Sequence, residues 1–264
     1  MIWLQIVILA VIQGIAEFLP ISSSGHVVVG QEIFDQFGTK MDDKLTVNIV
    51  LHVGTLLAIL IFYWRRIWML LGQDRRVIGL LAVGSLPAGL AFVGMKASPW
   101  GDAAESALEQ ALVAGFMFPV TGLLLLWAPR CHGGETTCRE LSYGRALIIG
   151  AFQAFAILPG ISRSGATIVA GLGCGLRREE AAAFSFLLAI PAIGGGGFWK
   201  TIQLVKEGPE STPLGALALG ALLSLVVGLI SLWWLVGWLK QGRFHYFAWW
   251  VIPLGVAVIL WQLS

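Results

Sequence analysis

The chain has 264 residues, of which 57% are hydrophobic and 12% charged, with a mean hydropathy of +0.82; an ordinary soluble domain carries roughly 25% charged residues. This composition places the protein in a membrane, and a net charge of +2 with no basic block argues against a nucleic-acid partner. Three cysteines, Cys131, Cys138 and Cys174, are odd in number and make no disulfide framework.

The first apolar arm has no basic residue before Lys40, and it contains Glu17 and a serine-rich turn, so it is expected to be retained and not cleaved as a secretion signal. It leads into Gln13-Gly-Ile-Ala-Glu-Phe-Leu-Pro-Ile-Ser-Ser-Ser-Gly-His26, where Pro20 and Ser22 to Gly25 interrupt the hydrophobic run. Hydrophobic segments follow near 45–63, 77–96 and 107–128. Beyond them Cys131-His132 and Cys138 lack a fourth ligand and the usual zinc spacing, and read as ordinary loop. A short arm over 146–156 would span only about 16 Å as a helix, against a hydrocarbon core of roughly 30 Å. It leads into Gln153-Ala-Phe-Ala-Ile-Leu-Pro-Gly-Ile-Ser-Arg-Ser-Gly-Ala166, broken at Pro159 to Gly165. Three more apolar runs, near 182–205, 213–236 and 247–263, complete the chain.

The two broken segments repeat each other at a constant offset of 140, with Gln, Ala, Ile, Ser, Ser and Gly matched at 13/153, 16/156, 21/161, 22/162, 24/164 and 25/165. Broken backbone at membrane depth survives only where protein or a water-filled cavity satisfies its polar groups, so both segments are expected to be re-entrant helix-loop-helix hairpins. Each half then has one hairpin and three crossings, an odd number, and the second half starts on the opposite face. The expectation is an all-α polytopic protein of six transmembrane helices and two re-entrant hairpins in an inverted repeat. It forms a single integral-membrane domain, 1–264, with halves of about 1–130 and 140–264, and its two loops meet near the bilayer midplane. Eleven Lys and Arg residues fall in loops 64–76, 129–145, 177–180 and 237–246, against three in the alternate loops. The richer side is expected to be cytoplasmic, which puts the first motif's mouth outside.

The ionisable groups differ between the copies: Glu17 and His26 in one, Arg163 in the other. Gln13 and Glu17 lie four apart, on one helical face, an oxygen-rich pair suited to a hard divalent cation that also takes water and substrate phosphate. Ser22, Ser23, Ser24 and Gly25 can bring hydroxyl and N–H groups close to an anion, though such serines also serve as plain helix caps. His26 can move a proton or attack phosphorus. Arg163 offers a planar fork for phosphate oxygens, and its competing role is a structural salt bridge to Glu17. Ser162, Ser164 and Thr167 add hydroxyls to the second loop. The tryptophan pairs Trp233-Trp234 and Trp249-Trp250 read as interface markers.

Glu17-Phe-Leu-Pro-Ile-Ser-Ser-Ser-Gly-His26 preceded by Gln13, and Pro159-Gly-Ile-Ser-Arg-Ser-Gly-Ala-Thr167, resemble the two signatures of bacterial undecaprenyl-pyrophosphate phosphatases of the bacitracin-resistance type. The resemblance runs over nearly the whole chain. It implies hydrolysis of undecaprenyl diphosphate to undecaprenyl phosphate and inorganic phosphate, with a divalent cation such as Mg²⁺ or Ca²⁺, at the outer face of the bacterial cytoplasmic membrane. That reaction recycles the lipid carrier for envelope polymers. It makes Glu17, His26 and Ser23 the catalytic candidates, Ser22, Ser24, Ser162, Arg163, Ser164 and Thr167 the substrate contacts, and Glu17 with Gln13 the cation ligands. The partners are then a polyprenyl diphosphate lipid and membrane lipid, with a homodimer left open. Only Glu17 of the pair can ionise here, and His26, Ser23 with His26 as base, and activated water all stay open as nucleophile, with a direct role for His26 preferred.

Two other readings compete. Ser24-Gly25-His26 resembles part of the phosphatidic-acid phosphatase signature, but the histidine and aspartate that should follow Ser162-Arg163 are absent. A transporter or flippase of an anionic polyprenyl lipid would also use an inverted repeat, yet has less need of a nucleophilic or proton-transferring group. A purely structural membrane subunit would leave the duplicated polar loops unexplained.

Overall fold

A computed structural model describes residues 2–38, 43–108, 110–128, 134–207 and 212–264, with the backbone alone at 105 and 196–207. Among these residues the chain is helical: α1 (Ile2–Ala16), α2 (Ser23–Gln36), α3 (Lys44–Phe62), α4 (Trp64–Leu70), α5 (Arg75–Ala97), α6 (Gly101–Leu108), α7 (Ala111–Trp127), α8 (Tyr143–Phe155), α9 (Arg163–Gly173), α10 (Arg178–Glu207), α11 (Leu214–Lys240) and α12 (Ala248–Leu263). The Cys131-His132 pair, Lys40 and Arg130 lie outside the described residues.

The offset of 140 extends from the motifs to the helices. Adding it to α1, α2, α3, α5 and α7 gives the positions of α8, α9, α10, α11 and α12, to within a few residues at most of the ends. The halves interlock instead of sitting side by side: α1 packs on α11 of the second half, α8 packs on α5 of the first, and α7 lies along α12. Small residues permit these crossings. A Cβ on Gly150 would stand 2.2 Å from the Gly84 carbonyl oxygen, and one on Gly54 would stand 2.3 Å from that of Ala221.

Four helical stretches, Lys44–Phe62, Arg75–Ala97, Leu214–Lys240 and Phe244–Leu263, are long and apolar enough to cross a membrane, and a fifth counts if α6 and α7, inclined by 70°, form one broken span. The protein is therefore a multi-pass helical membrane protein, with about four to five such stretches among the described residues. The expected run 182–205 belongs to α10, whose side chains are described only as far as residue 195; those from Ala181 to Ala189 are buried inside the bundle. The outer surface of the bundle is apolar: Leu90, Leu123, Ile230 and Trp249 are exposed, as a hydrocarbon surrounding requires.

At one end of the bundle the segment 134–141 is strapped down by charge. Glu180 Oε2 accepts from Arg66 Nη2 at 2.6 Å and from the Cys138 N–H at 2.7 Å. Asp74 pairs with Arg139, and Arg76 donates to the carbonyls of Arg139 and Leu141.

Candidate active site

Glu17 follows α1, and its N–H still closes a helical turn on the Gln13 carbonyl at 2.9 Å, so the two side chains share one face. Gln13 Nε2 donates to Glu17 Oε2 at 3.0 Å, and both residues are buried. After Pro20 the chain turns sharply through Ser22, which caps α2: its Oγ accepts from the Gly25 N–H at 3.3 Å and, across the repeat, from the Gly160 N–H at 3.1 Å. Ser22 has φ of 71°, a left-handed conformation seldom adopted by a residue with a Cβ. Its carbonyl accepts from both the backbone N–H and ring Nδ1 of His26, at 3.2 and 2.8 Å.

The second loop is fixed from α7. Thr121 Oγ1 donates to the Gly160 carbonyl at 2.7 Å and accepts from the Ser162 N–H at 2.9 Å. Ser162 then caps α9 by accepting from Gly165 N–H at 3.1 Å. This places Arg163 at the first residue of α9, from which Nη2 reaches Glu17 Oε1 at 2.5 Å across 146 residues of chain.

Glu17 is thus the meeting point of both halves. Ser23 Oγ donates to its Oε2 at 2.6 Å, and His52 Nε2 of α3 stands 3.8 Å from the same oxygen. His52 Nδ1 faces the Asn48 carbonyl at 2.8 Å, so Nδ1 carries a proton there. Among the described residues, two buried polar atoms at this centre have no hydrogen-bond partner, Arg163 Nη1 and Gln13 Oε1. Buried polar groups are ordinarily satisfied, so an unmatched donor and an unmatched acceptor side by side with a carboxylate suit a ligand that carries anionic oxygens, and a cation beside it.

The expected residues divide into groups. Glu17, Gln13, Ser23 and Arg163 form one hydrogen-bonded cluster. Ser24 is exposed beside it, 3.3 Å from Ser22 Oγ. Ser22, Ser162 and Ser164 are buried, and Ser164 Oγ lies 3.2 Å from Ser162 Oγ, so these hydroxyls shape the loops. Thr167 points away: its Oγ1 donates to the Arg163 carbonyl at 2.7 Å and meets Ser185 Oγ at 2.6 Å, bracing the first turn of α9 against α10. Among the described residues no hydrogen bond joins the His26 side chain to Glu17, Ser23 or Arg163; the carboxylate, not the imidazole, accepts from Ser23 Oγ. Nor does any group of three or more His, Cys, Asp and Glu side chains among them gather as a metal cage. One carboxylate and the free Gln13 oxygen are a sparse set of the kind Mg²⁺ tolerates when phosphate and water complete its shell.

His52, Thr121 and Trp250 are additions to the site. His52 carried a signal, being ionisable inside an apolar run. Thr121 carried none, and the interface role assigned to Trp250 hid its hydrogen bond to His26 Nε2 at 3.0 Å.

Residues 6–257 match the model of a family described as bacitracin resistance protein BacA. The chain is 45% identical over 261 residues to an undecaprenyl-diphosphatase of Rhodopirellula baltica, covering 98% of each protein. It is 37% identical over 264 residues to undecaprenyl-diphosphatase 3 of Bacillus cereus, covering 99% of this chain and 98% of that one. A third relative, an undecaprenyl-diphosphatase of Halothermothrix orenii, is 34% identical over 259 residues, 97% of this chain and 96% of its own.

Proposed function

The chain belongs to the bacitracin resistance protein BacA family, and from that premise we propose how its two loops carry out the removal of the terminal phosphate of undecaprenyl diphosphate. The reaction is a phosphoric anhydride hydrolysis that leaves undecaprenyl phosphate and inorganic phosphate. The observation that carries the proposal is the Glu17–Arg163 pair between the repeats, with Arg163 Nη1 left unmatched beside it. A diphosphate brings acceptor oxygens to that N–H and competes with Glu17 for the rest of the fork, so binding hands the guanidinium from carboxylate to substrate. Ser23 and Ser24, on the less buried side of the loop, donate to the same phosphoryl oxygens.

His26 Nε2 keeps its lone pair because Nδ1 holds the proton toward Ser22. In this reading Nε2 bonds to the terminal phosphorus as the bridging P–O bond breaks, undecaprenyl phosphate leaves with the electron pair, and water then cleaves the phosphoimidazole. Arg163 and the hydroxyls stabilise the charge redistributed over the phosphoryl oxygens. A second reading rests on the 2.6 Å bond from Ser23 Oγ to Glu17: Ser23 attacks and Glu17 takes its proton. When bound, a divalent cation, Mg²⁺ or Ca²⁺, would neutralise diphosphate charge, and Glu17 with Gln13 Oε1 are the residues that would hold it.

The proposal extends to topology. It takes the chain to have six crossings and two re-entrant hairpins with the charge-rich loops inside, which would put the site on the outer face of the bacterial cytoplasmic membrane. Purified protein in detergent should release phosphate from undecaprenyl diphosphate and lose that activity on chelation; no release under any cation would overturn the assignment, and full activity in chelator would remove the cation. An impermeant thiol reagent applied to intact cells should label a cysteine at position 38 and not at 75, and the reverse pattern would invert the orientation.

A further inference from the structure

The His26 imidazole is gripped on three sides, by groups from three elements. Nδ1 donates to the Ser22 carbonyl at 2.8 Å, which leaves Nε2 as the lone-pair nitrogen. Trp250 of α12 places its indole Nε1 3.0 Å from that Nε2. An indole N–H can only donate, so the contact exists solely with an unprotonated Nε2. The rings lie 10° from coplanar with centroids 6.3 Å apart, an edge-to-edge arrangement that aims the N–H along the in-plane lone pair and not at the ring face. Phe118 of α7 closes the third side, its ring 5.1 Å from the imidazole and steeply inclined at 76°. Because α7 and α12 lie along each other, both aromatic side chains hang from one rigid pair of helices.

An aromatic belt at the membrane interface would account for a tryptophan here, but not for an in-plane bond to the nitrogen best placed to react. Trp249, one residue earlier and 72% exposed, shows what a belt residue on this helix looks like. Trp250 is itself 55% exposed, so its ring can swing outward without tearing core packing.

We propose that Trp250 is a positioning residue for the phosphatase reaction, holding His26 in its Nδ1–H form and capping the Nε2 lone pair until the terminal phosphate displaces it. This rests on the reading that His26 acts at phosphorus. When Nε2 bonds to phosphorus the indole loses its acceptor, and the nearest replacements are the phosphoryl oxygens carried by that same phosphorus. The N–H then moves from ground-state imidazole to transition-state oxygen, which is the kind of contact that raises kcat more than it lowers KM.

Trp250→Phe keeps an aromatic ring and removes the N–H. It should lower kcat roughly tenfold with KM little changed, the scale of one lost hydrogen bond at a reacting group. Trp250→His should recover a substantial part of the loss, because imidazole Nε2 superposes on indole Nε1 and restores a donor in place. Trp249→Phe should change neither parameter. Added to His26→Ala, Trp250→Phe should cost nothing further, since its partner is gone. In protein labelled with ¹⁵N-histidine and studied without substrate, the Nε2 resonance assigned to His26 by its absence in His26→Ala should shift in Trp250→Phe. Unchanged kcat with an unchanged resonance overturns the proposal. So does a loss that Trp250→His fails to restore and that persists in the His26→Ala background, which would mark Trp250 as structural. If His26→Ala itself turned over normally, the chemical reading of His26 would fall, while the resonance would still report whether the indole holds the ring.

Discussion

Ser22 and Ser162 stand 140 places apart, each capping a helix and each accepting a hydrogen bond from the glycine N–H three residues on. Their backbones nevertheless differ: φ is 71° at Ser22 and −73° at Ser162. In the second loop the positive φ falls on Gly160, at 92°, where no Cβ resists it. In the first it falls on a side-chain-bearing residue, at a cost on the order of 1–3 kcal/mol. The strain persists because Ser22 is bonded from every side, by Gly25, by Gly160 and twice by His26. One frame has thus been tuned for two tasks. The first copy starts α2 with His26 in its opening turn, the ring bonded to the Ser22 carbonyl, whereas the second starts α9 so that Arg163 projects across the interface to Glu17. The duplicated positions hold the complement: Ile157 where the first loop has Glu17, Ala166 where it has His26, and Arg163 where it has Ser23.

The comparison breaks first at the groups unique to one loop. Glu17→Gln and His26→Ala should each lower kcat by at least roughly 10²-fold while substrate binding survives, the lower end for loss of acid-base assistance. Ser23→Ala separates the two nucleophile readings. A loss as deep as that of His26→Ala would favour the serine path, and a shallower one the imidazole. Unchanged kcat with raised KM would reassign either residue to binding.

Arg163→Lys comes next. Charge is kept, but the planar fork that can serve Glu17 and an anion at once is lost, so kcat/KM should fall roughly ten- to a hundredfold. Near-normal turnover in a folded Lys variant would reduce Arg163 to a point charge and the second loop to a salt-bridge support.

The caps then sharpen the comparison through stability. Ser162→Ala should destabilise by about 1 kcal/mol, the usual cost of a lost N-cap. Ser22→Ala should cost more, because the Gly160 N–H loses its acceptor as well and the left-handed strain remains. Ser22→Gly loses the same bonds but relieves the strain, and should fall between native and Ser22→Ala in thermal unfolding. Equal losses for Ser22→Ala and Ser22→Gly would show that the strain is energetically idle.

Much of this plan was legible in the residues. The constant offset marks both loops, and it also locates five helix pairs, because a duplicated frame repeats its breaks as well as its apolar runs. The Glu17–Arg163 contact was visible only as the role competing with phosphate binding, because an arginine at membrane depth needs some anionic partner. Other features depend on geometry that hydropathy does not carry. A count of apolar residues treats 182–205 like any other run and misses that Ala181 to Ala189 face protein on all sides. Thr121 and Trp250 reach the loops only because α7 and α12 cross them, and Ser22 gives no sign of positive φ, since the residue that announces it is glycine.

The smallest effect tests whether the chemistry is confined to the loops. Glu180 lies in the first turn of α10, clamping Arg66 and the Cys138 N–H. Burial opposes ionisation of its carboxyl, but hydrogen bonds from Cys138 and the charge of Arg66 outweigh it and hold the group below the usual carboxylate range. A folded-state depression stabilises the protein above the unfolded carboxyl value of about 4.3, and that stabilisation fades as pH falls through the lower folded value. Glu180→Gln should therefore cost about 1 kcal/mol near neutrality, since Arg66 and the Cys138 N–H lose a charged acceptor. The gap between wild type and variant should narrow in thermal unfolding at about pH 3.5. Turnover should not change, because Glu180 touches neither motif loop. A stability gap that persisted in acid would mean the carboxylate's charge is not what holds the 134–141 strap. A fall in kcat as large as that of Arg163→Lys would mean that the strap, through α10 and its Ser185–Thr167 bond, sets the position of Arg163, and that the second loop is governed from both ends of the bundle.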